Sequence, residues 1–477
     1  MDTNRNERSA RPEKGRNVME QNTTIFGGNT DSLGEHIRKT YHIGEEYYRG
    51  EVKRGLRNSD GTGVLIGVTK VGSVQGYLMQ DGQRIPAPGH LYYRGIDLND
   101  IVEAHRADGT FGYEEVAYLL LMGYLPAREE LSYFKELMSR ARKLPDGFTE
   151  SLIMRHPSAN IMSELARSVL ALYSYDPNPD DTSVENLLLQ SVKLIGNFPA
   201  VVANAYAVKR HYFDGDSLHI HYPEENLSTA ENFLRMIRPD KQFTEEEAHL
   251  LDMMLMLHAE HGGGNNSTFV CRAISSSMTD TYSAIAGAVG SLKGPLHGGA
   301  NAKVMEMLHY VRENTDPADD GSVTDYLNRL LDREAGDHSG KLYGLGHAVY
   351  TMSDPRAVML KKYARSMAEK KGFTADFELL EKIETLGIRL LQERRRSDTP
   401  MCANVDLYSG LVYTMLGIPE ELFTPLFASA RISGWCANRI EEILTGKRIM
   451  RPAYRAVTIR GEYVPIEART PQLLPEA

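Results

Sequence analysis

Apolar residues recur with helical spacing along most of the chain, which predicts a mainly helical protein. Two early segments show this spacing, at Leu131, Phe134, Met138 and Ala141 and at Ile161, Leu165, Val169 and Leu172. Further helices are predicted over residues 298–312, 322–334, 357–370, 375–395, 404–416 and 425–445. Pro199 interrupts the apolar pattern of residues 184–210 and predicts a kink or break in that helix.

A different pattern occupies residues 62–98, where β-branched residues alternate with glycines. This alternation predicts short strands, and the Asp81-Gly82 pair marks a turn. No other stretch of the sequence indicates strands, so the β region is expected to be small and N-terminal.

A long interior helix is predicted after Thr244, which forms a capping-box pattern with Glu247. Residues 250–257 are apolar on nearly all sides, so this helix is expected to run through the core. It is expected to stop at the three glycines of residues 262–264.

Composition agrees with a globular protein of two or three domains, since 42% of the 477 residues are hydrophobic and 25% are charged. The formal net charge of −10 disfavours nucleic acid and anionic membranes as partners. An anionic substrate therefore needs local cations. Three cysteines without CxxC spacing fit a reducing compartment, and no apolar run reaches the length of a membrane span. The N-terminus resembles a solvated tail rather than a targeting peptide, which predicts a cytoplasmic protein.

The segment GPLHGGAN, residues 294–301, surrounds His297 with a proline and three glycines. Val304 and Leu308 give the following segment a helical stripe, so His297 lies at or just before a helix N-terminus. That position disfavours imidazolium, and a neutral imidazole can donate a hydrogen bond to a developing oxyanion. A histidine that simply caps a glycine-rich turn is the alternative.

His258 and His261 are three residues apart and are expected to share a face near the end of the interior helix. An HxxH pair is a weak metal signal without a third ligand at suggestive spacing, so core histidines are the simpler interpretation. The C-terminal position would nevertheless favour protonated histidine and suit an anionic ligand.

Three further stretches carry candidate chemistry. In residues 343–356, His347 and Arg356 flank a turn-forming Asp-Pro pair, although an ordinary surface loop explains that spacing equally well. Asp406 opens a predicted helix, where aspartate usually only complements the dipole. Arg431 lies in an otherwise uncharged segment and is expected to be buried with an anionic partner, whereas Arg451 belongs to a basic run.

Taken in order, these stretches resemble the citrate synthase family. The resemblance rests on HAEHGGGNNST, GPLHGGAN, GLGHAVYTMSDPR, NVDLYSG and ARISGWCANRIEE, and it runs from about residue 92 to residue 452. One segment departs from the family. After GHAV, where many relatives carry basic residues for the CoA phosphates, this chain has Tyr350-Thr351-Met352.

The resemblance implies a multi-helical fold with a large and a small domain and a short N-terminal β region. The implied boundaries are a polar tail at 1–45, a large domain formed by 46–298 and 418–477, and a small domain at 299–417. It also implies a homodimer in which Arg451 reaches the partner's active site.

The activity that the resemblance implies is the condensation of acetyl-CoA with oxaloacetate and water to citrate and CoA, an acyltransferase reaction without a metal or bound cofactor. Asp406 and His297 would enolise the thioester, and His347 would protonate the ketone. His261, Arg356 and Arg431 would hold oxaloacetate. The nearest rival is a 2-methylcitrate synthase that uses propionyl-CoA with the same residues. A metal-dependent hydrolase or lyase built on the histidines is a more distant one.

Overall fold

The computed structural model describes residues 30–50, 52–58, 62–80, 83–396, 400–458 and 461–469. Their contacts divide the chain into two units, one formed by residues 67–450 and the other by the terminal segments 1–66 and 451–477. The predicted division into large and small domains at residues 299 and 417 stays a prediction. The predicted turn at Asp81-Gly82 lies outside the described residues.

The terminal unit contains a helix that the sequence analysis did not predict, α1 (Thr30–Thr40), inside the segment interpreted as a tail. Its two segments meet where Arg455 donates a hydrogen bond from Nη2 to the carbonyl oxygen of Tyr47 at 2.5 Å. Most of the described side chains in this unit are exposed.

The unit of residues 67–450 is mainly helical, as predicted. Its α-helices are α2 (Leu98–Asp108), α3 (Tyr113–Met122), α4 (Arg128–Ala141), α5 (Ile161–Leu172), α6 (Val184–Lys209), α7 (Thr229–Ile237), α8 (Glu245–His258), α9 (Asn266–Ser275), α10 (Thr281–Lys293), α11 (Ala300–Asn314), α12 (Asp320–Leu331), α13 (Pro355–Lys371), α14 (Thr374–Arg395), α15 (Asp406–Met415) and α16 (Phe423–Thr445). Within the described ranges, no helix is both long enough and apolar enough to cross a bilayer.

The strands fall inside the predicted region. β1 (Gly72–Gln80), β2 (Gln83–Tyr93) and β3 (Ile96–Asp97) form an antiparallel sheet in that order. Gly72 pairs with Tyr93 at one end of the hairpin, and the register shifts between Gln75 and Tyr77. The irregularity leaves Gly76 outside the regular ladder, where its carbonyl group is available to another segment.

The interior helix α8 is confirmed together with its capping box. The Thr244 hydroxyl accepts from the backbone N–H of Glu247 at 3.2 Å, and the Glu247 carboxylate accepts from the Thr244 N–H at 3.0 Å. The residues from Leu250 to His258 are all buried. α8 ends at His258, however, so the expectation that His261 shares its face was wrong, and His261 lies in the segment that follows.

Of the kink or break predicted at Pro199, the break was also wrong, because α6 continues through Pro199 to Lys209. Proline removes one backbone hydrogen bond and strains the preceding turn. Here Phe198 and Pro199 are buried, and α6 packs against α4, α5, α7 and α16. Packing on several sides therefore outweighs the local preference for a break.

Candidate active site

The loop that carries His347 is fastened to the start of α15. Leu345 forms an isolated bridge with Ala403, and the Gly346 N–H donates to the Cys402 carbonyl at 2.8 Å. The Asn404 side chain adds a bond from Nδ2 to the Gly346 carbonyl at 2.9 Å. These contacts tie His347 to the helix that begins with Asp406, although the two residues are far apart in sequence.

The same loop is held from its other side by the β1–β2 hairpin. Thr351 donates from Oγ1 to the carbonyl of Gly76 at 2.6 Å, and the Gly89 N–H donates to Oγ of Ser353 at 3.0 Å. A Cβ at Gly76 would overlap the Val349 carbonyl oxygen, and one at Gly89 would overlap that of Ser353. Glycine is therefore needed at both positions for the loop to dock.

His347 is held in one tautomer. Its Nδ1 accepts hydrogen bonds from the backbone N–H groups of Val349 at 3.0 Å and Tyr350 at 3.1 Å. Because Nδ1 acts as an acceptor, the proton of the neutral ring lies on Nε2. The ring lies 5.2 Å from that of His261 and 4.5 Å from that of Tyr350, measured between centroids.

Arg356 lies in the first turn of α13, where Asp354 caps the helix. The Asp354 carboxylate accepts from the Arg356 guanidinium, from Nε at 3.0 Å and from Nη2 at 2.7 Å. It also accepts from the Val405 N–H at 3.1 Å, which joins α13 to the segment before Asp406. Both members of the ion pair are buried, and Nη1 of Arg356 remains outside the pair.

Arg431 is 1% exposed inside α16, as its uncharged surroundings predicted. Its Nε donates to the carbonyl oxygen of His258 at 2.6 Å. Burial lowers the pKa of Arg431 to about 10, and the charge of Glu260 opposes that shift, so the guanidinium stays protonated at neutral pH. Glu260 is fully buried and its charge acts on Arg431, but no hydrogen bond or ion pair joins the two residues, so the predicted anionic partner stays a prediction.

Several buried polar atoms around these arginines have no hydrogen-bond partner among the described residues. They include Nη2 of Arg431, Nε2 of His261, the hydroxyl of Tyr350, Oε1 of Glu260 and Nε2 of His258. Buried polar groups are normally satisfied, and an exception calls for an explanation. A ligand rich in acceptor oxygens would satisfy the hydrogen-bond donors among these atoms.

Burial and the charge of Arg356 lower the pKa of His261 well below its usual value. The ring of His261 is therefore neutral, and the protonated form that a helix C-terminus would favour is wrong for it.

Asp406 begins α15, and its backbone N–H donates to Oδ1 of Asn404 at 3.0 Å. Burial raises the pKa of its carboxyl to about 6, although the charges of Arg356 and Arg431 lower it. The carboxylate is therefore more basic than an exposed aspartate and is still ionised at neutral pH. That combination suits a general base.

His297 lies in a turn three residues before α11. Its Nε2 accepts from the backbone N–H of Ser267 at 3.2 Å, so the proton of the neutral ring lies on Nδ1. Burial, followed by the charge of Arg431, lowers the pKa of His297 to about 4. The neutral state was thus predicted correctly but for a different reason, because burial and the charge of Arg431 lower the pKa, whereas the prediction rested on the N-terminus of the following helix.

One of the three glycines around His297 also has a structural use. A Cβ at Gly298 would overlap the carbonyl oxygen of Leu292 and come within 2.7 Å of the Thr424 methyl group. The Gly298 carbonyl accepts from Oγ1 of Thr424 at 2.7 Å. The turn is therefore pressed between α10 and the start of α16.

The structure brings most of the sequence-predicted residues into one neighbourhood. His261, His347 and Arg356 surround Tyr350. The charge of Arg431 lowers the pKa values of His261, His297 and Asp406, which places all three in its field. Arg451 is exposed and belongs to the terminal unit, so its role stays a prediction.

Sequence reasoning missed several residues that position the site, namely Ser267, Asp354 and Asn404. Asp354 had a signal, since it precedes the Pro355 that begins α13 and aspartate is a preferred helix cap. Ser267 and Asn404 act through bonds to residues that are distant in sequence or through the backbone, and nothing in their local pattern indicates this.

His258 is the last of the histidines that the sequence analysis singled out. It is 0% exposed, and its Nδ1 lies 2.8 Å from the Met254 carbonyl oxygen. Burial lowers its pKa to about 3, as expected for a core histidine. Across the described residues, no group of three or more His, Cys, Asp and Glu side chains is arranged to hold a metal ion.

Comparison with known proteins gives consistent matches over most of the chain. A family model described as "Citrate synthase, C-terminal domain" matches residues 60–453. Citrate synthase from Deinococcus radiodurans is 37% identical over 80% of this chain and 93% of its own length. A 2-methylcitrate synthase from Corynebacterium glutamicum is 33% identical over 88% of this chain and 99% of its own length.

Solved structures agree. A ternary complex of citrate synthase from Thermoplasma acidophilum with carboxymethyl coenzyme A and oxaloacetate superposes with a TM-score of 0.73 at 28% identity. The match covers 88% of this chain and 100% of that one. Citrate synthase from Thermotoga maritima superposes with a TM-score of 0.68 at 31% identity, over 88% and 99% of the two chains.

Proposed function

Because the chain belongs to the citrate synthase family, we propose that it condenses acetyl-CoA with oxaloacetate and water to give citrate and CoA. The reaction makes it an acyltransferase in which the acyl group becomes an alkyl group. The observation that carries this proposal is the basic carboxyl of Asp406 and the neutral imidazole of His297, both within the field of Arg431.

The first step is enolisation of the thioester. Asp406 takes a proton from the acetyl methyl group, and the electron pair of that C–H bond moves toward the thioester oxygen. His297 donates a hydrogen bond from Nδ1–H to this oxygen, because Nε2 already accepts from Ser267. Because the imidazole of His297 is neutral, it stabilises the negative charge on the thioester oxygen by a hydrogen bond. It does not give its proton fully to that oxygen before the new carbon–carbon bond forms.

The second step forms the carbon–carbon bond. The enolate carbon attacks the ketone carbon of oxaloacetate, and the π electron pair of the ketone moves to its oxygen, which takes the proton from Nε2 of His347. The proton that Asp406 removed from the methyl group returns to His347 before the next turnover. The two backbone N–H groups at Nδ1 of His347 support that tautomer. Water then hydrolyses the citryl thioester and releases CoA.

Oxaloacetate is held by the side chains of Arg431, His261 and Arg356. Nη2 of Arg431 and Nε2 of His261 are buried and unpaired among the described residues, and Nη1 of Arg356 lies outside the Asp354 ion pair. Two carboxylates supply the acceptors that these groups need, and guanidinium binds carboxylate with favourable geometry.

The proposal extends to the assembly and location of the enzyme, and the family resemblance supports it. The protein acts as a cytoplasmic homodimer without metal or bound cofactor, and Arg451 enters the site of the partner subunit. Residues 299–417 close over the cleft after oxaloacetate binds, which keeps the thioester from water until its partner is present.

The experiment that tests the function is a steady-state assay of CoA release with oxaloacetate and a series of acyl-CoAs, with identification of the product. We expect the highest kcat/KM with acetyl-CoA. Absence of CoA release with every acyl-CoA would refute the proposal.

A second candidate, 2-methylcitrate synthesis, is favoured by the match to the Corynebacterium glutamicum enzyme of that name. One methylene in an apolar pocket contributes only ~1–3 kcal/mol, so the same residues serve either substrate. Equal or higher kcat/KM with propionyl-CoA would establish this candidate. Loss of activity on dialysis against a chelator, restored by a divalent ion, would instead support the metal-dependent class.

A further inference from the structure

Tyr350 is buried among the side chains assigned above to oxaloacetate, yet the scheme so far gives it no task. Its ring centroid lies 4.5 Å from that of His347 and 5.6 Å from that of His261. The guanidinium carbon of Arg356 lies 6.0 Å from the ring centre. The residue is only 2% exposed, so it forms part of the wall of this neighbourhood.

The position of Tyr350 is set by the sheet. A Cβ at Gly76 would come within 2.6 Å of the Tyr350 Cα, and a Cβ at Gly89 would come within 2.7 Å of its ring. The hairpin backbone thus lies directly against this tyrosine, and any larger residue at either glycine would displace it. The ring consequently has little room to turn away from His347.

The hydroxyl of Tyr350 has no hydrogen-bond partner among the described residues, although it is shielded from solvent. Burial raises the pKa of Tyr350, so the hydroxyl keeps its proton and remains a donor at neutral pH. Of the charges that act on this phenol, that of Arg356 is the strongest. An anion held by Arg356 is therefore the natural acceptor.

We infer that the Tyr350 hydroxyl donates a hydrogen bond to the oxaloacetate carboxylate that Arg356 binds, so that Tyr350 is a further substrate-binding residue. This inference rests on the proposed function. It accounts for the unpartnered buried hydroxyl, which acquires an acceptor only in the complex.

The test is Tyr350→Phe, which removes the hydroxyl and keeps the ring against His347. Oxaloacetate binding is measured by isothermal titration calorimetry on the full-length enzyme, together with KM and kcat. We expect the Kd to rise about tenfold, as for a lost hydrogen bond to a charged group, and kcat to change less. The melting temperature is expected not to fall, because no bond within the protein is lost. Tyr326→Phe serves as the matched control, since Tyr326 is a tyrosine 6% exposed in α12.

A Kd within twofold of wild type would overturn the inference. So would a clear fall in melting temperature relative to Tyr326→Phe, because the hydroxyl would then have a partner inside the free protein. Failure of the proposed function is seen separately: a wild-type enzyme that binds no oxaloacetate, or that releases no CoA, refutes that function before any variant is compared.

Discussion

The backbone N–H of Ser267, in the first turn of α9, donates a hydrogen bond to Nε2 of His297 at 3.2 Å. This bond fixes Nδ1 as the protonated nitrogen of a ring whose pKa burial lowers to about 4. His297 therefore stays neutral over the whole range in which the enzyme is expected to work. A change in activity near neutral pH must come from another group.

Asp406 is that group, and it sets the first prediction. Burial raises its pKa to about 6, and the base must be ionised to accept a proton. Below pH 6 the protonated fraction grows, so kcat/KM for oxaloacetate is expected to fall about tenfold per pH unit. The measurement is a pH profile of kcat/KM between pH 5 and 8. A kcat/KM that stays constant from pH 7 down to pH 5 would mean that the pKa of this carboxyl is not raised.

Much of this protein is predictable from local pattern. Helices such as α8 follow from apolar spacing and a capping box, both of which are written in contiguous residues. Pro199 shows the limit of that reasoning, because packing around α6 outweighs the local preference for a break. The elements were thus predicted well, and the exceptions lie where tertiary contacts decide.

The protonation states of the site residues were harder to predict from the sequence than the helices and strands. The family resemblance indicated His297 and Asp406, but their protonation states depend on burial and on the charges of Arg356 and Arg431, which act on them only in the folded chain. The N–H group that orients His297 belongs to Ser267, 30 residues earlier in the chain, and no local pattern indicated this contact. A pKa set by burial is not visible in a linear pattern.

Removing the base is the second prediction. Asp406→Asn keeps the shape of the side chain but cannot take the methyl proton, so kcat is expected to fall about 10²–10⁴-fold. Binding of oxaloacetate is expected to remain. Trp435, the single tryptophan of the sequence, donates from Nε1 to the hydroxyl of Ser267 at 3.2 Å, so its fluorescence reports on the surroundings of His297.

The matched control is Asp376→Asn. Asp376 is also in the first turn of a helix, α14, but it pairs with Arg312 at 3.0 Å on the surface. Full activity in this control and a large loss in Asp406→Asn would separate chemistry from helix stability. Comparable kcat in the two variants would remove Asp406 from the mechanism.

The third prediction concerns the charge of Arg431, which lowers the pKa of Asp406. Arg431→Gln removes that charge, so the acid limb of the pH profile is expected to move above pH 6. Arg431→Lys keeps the charge and is expected to leave the limb in place. Both variants lose the fork geometry of guanidinium, and KM for oxaloacetate is expected to rise about tenfold or more.

Arg439 provides the comparison for Arg431, because it is equally buried in α16 and donates to Thr281 and Ser275 at 3.0 Å. Arg439→Lys is expected to lower the melting temperature without changing KM or the pH profile. If Arg431→Gln left the acid limb where it is in wild type, the field of Arg431 would not reach Asp406.

The fourth prediction tests the docking of the His347 loop on the sheet. Gly89 is buried, and a Cβ there would overlap the Ser353 carbonyl oxygen and press on the ring of Tyr350. Gly89→Ala is therefore expected to displace the loop and to lower both kcat and the melting temperature. The expected fall in kcat is tenfold or more, because a misplacement of catalytic groups by about 1 Å lowers the rate on the order of 100-fold.

Gly290→Ala is the control, because Gly290 is exposed in α10 with open space around it. Alanine there is expected to stabilise the fold by about 0.5–1 kcal/mol and to leave kcat unchanged. Equal kcat values in the two variants would show that the hairpin does not position His347.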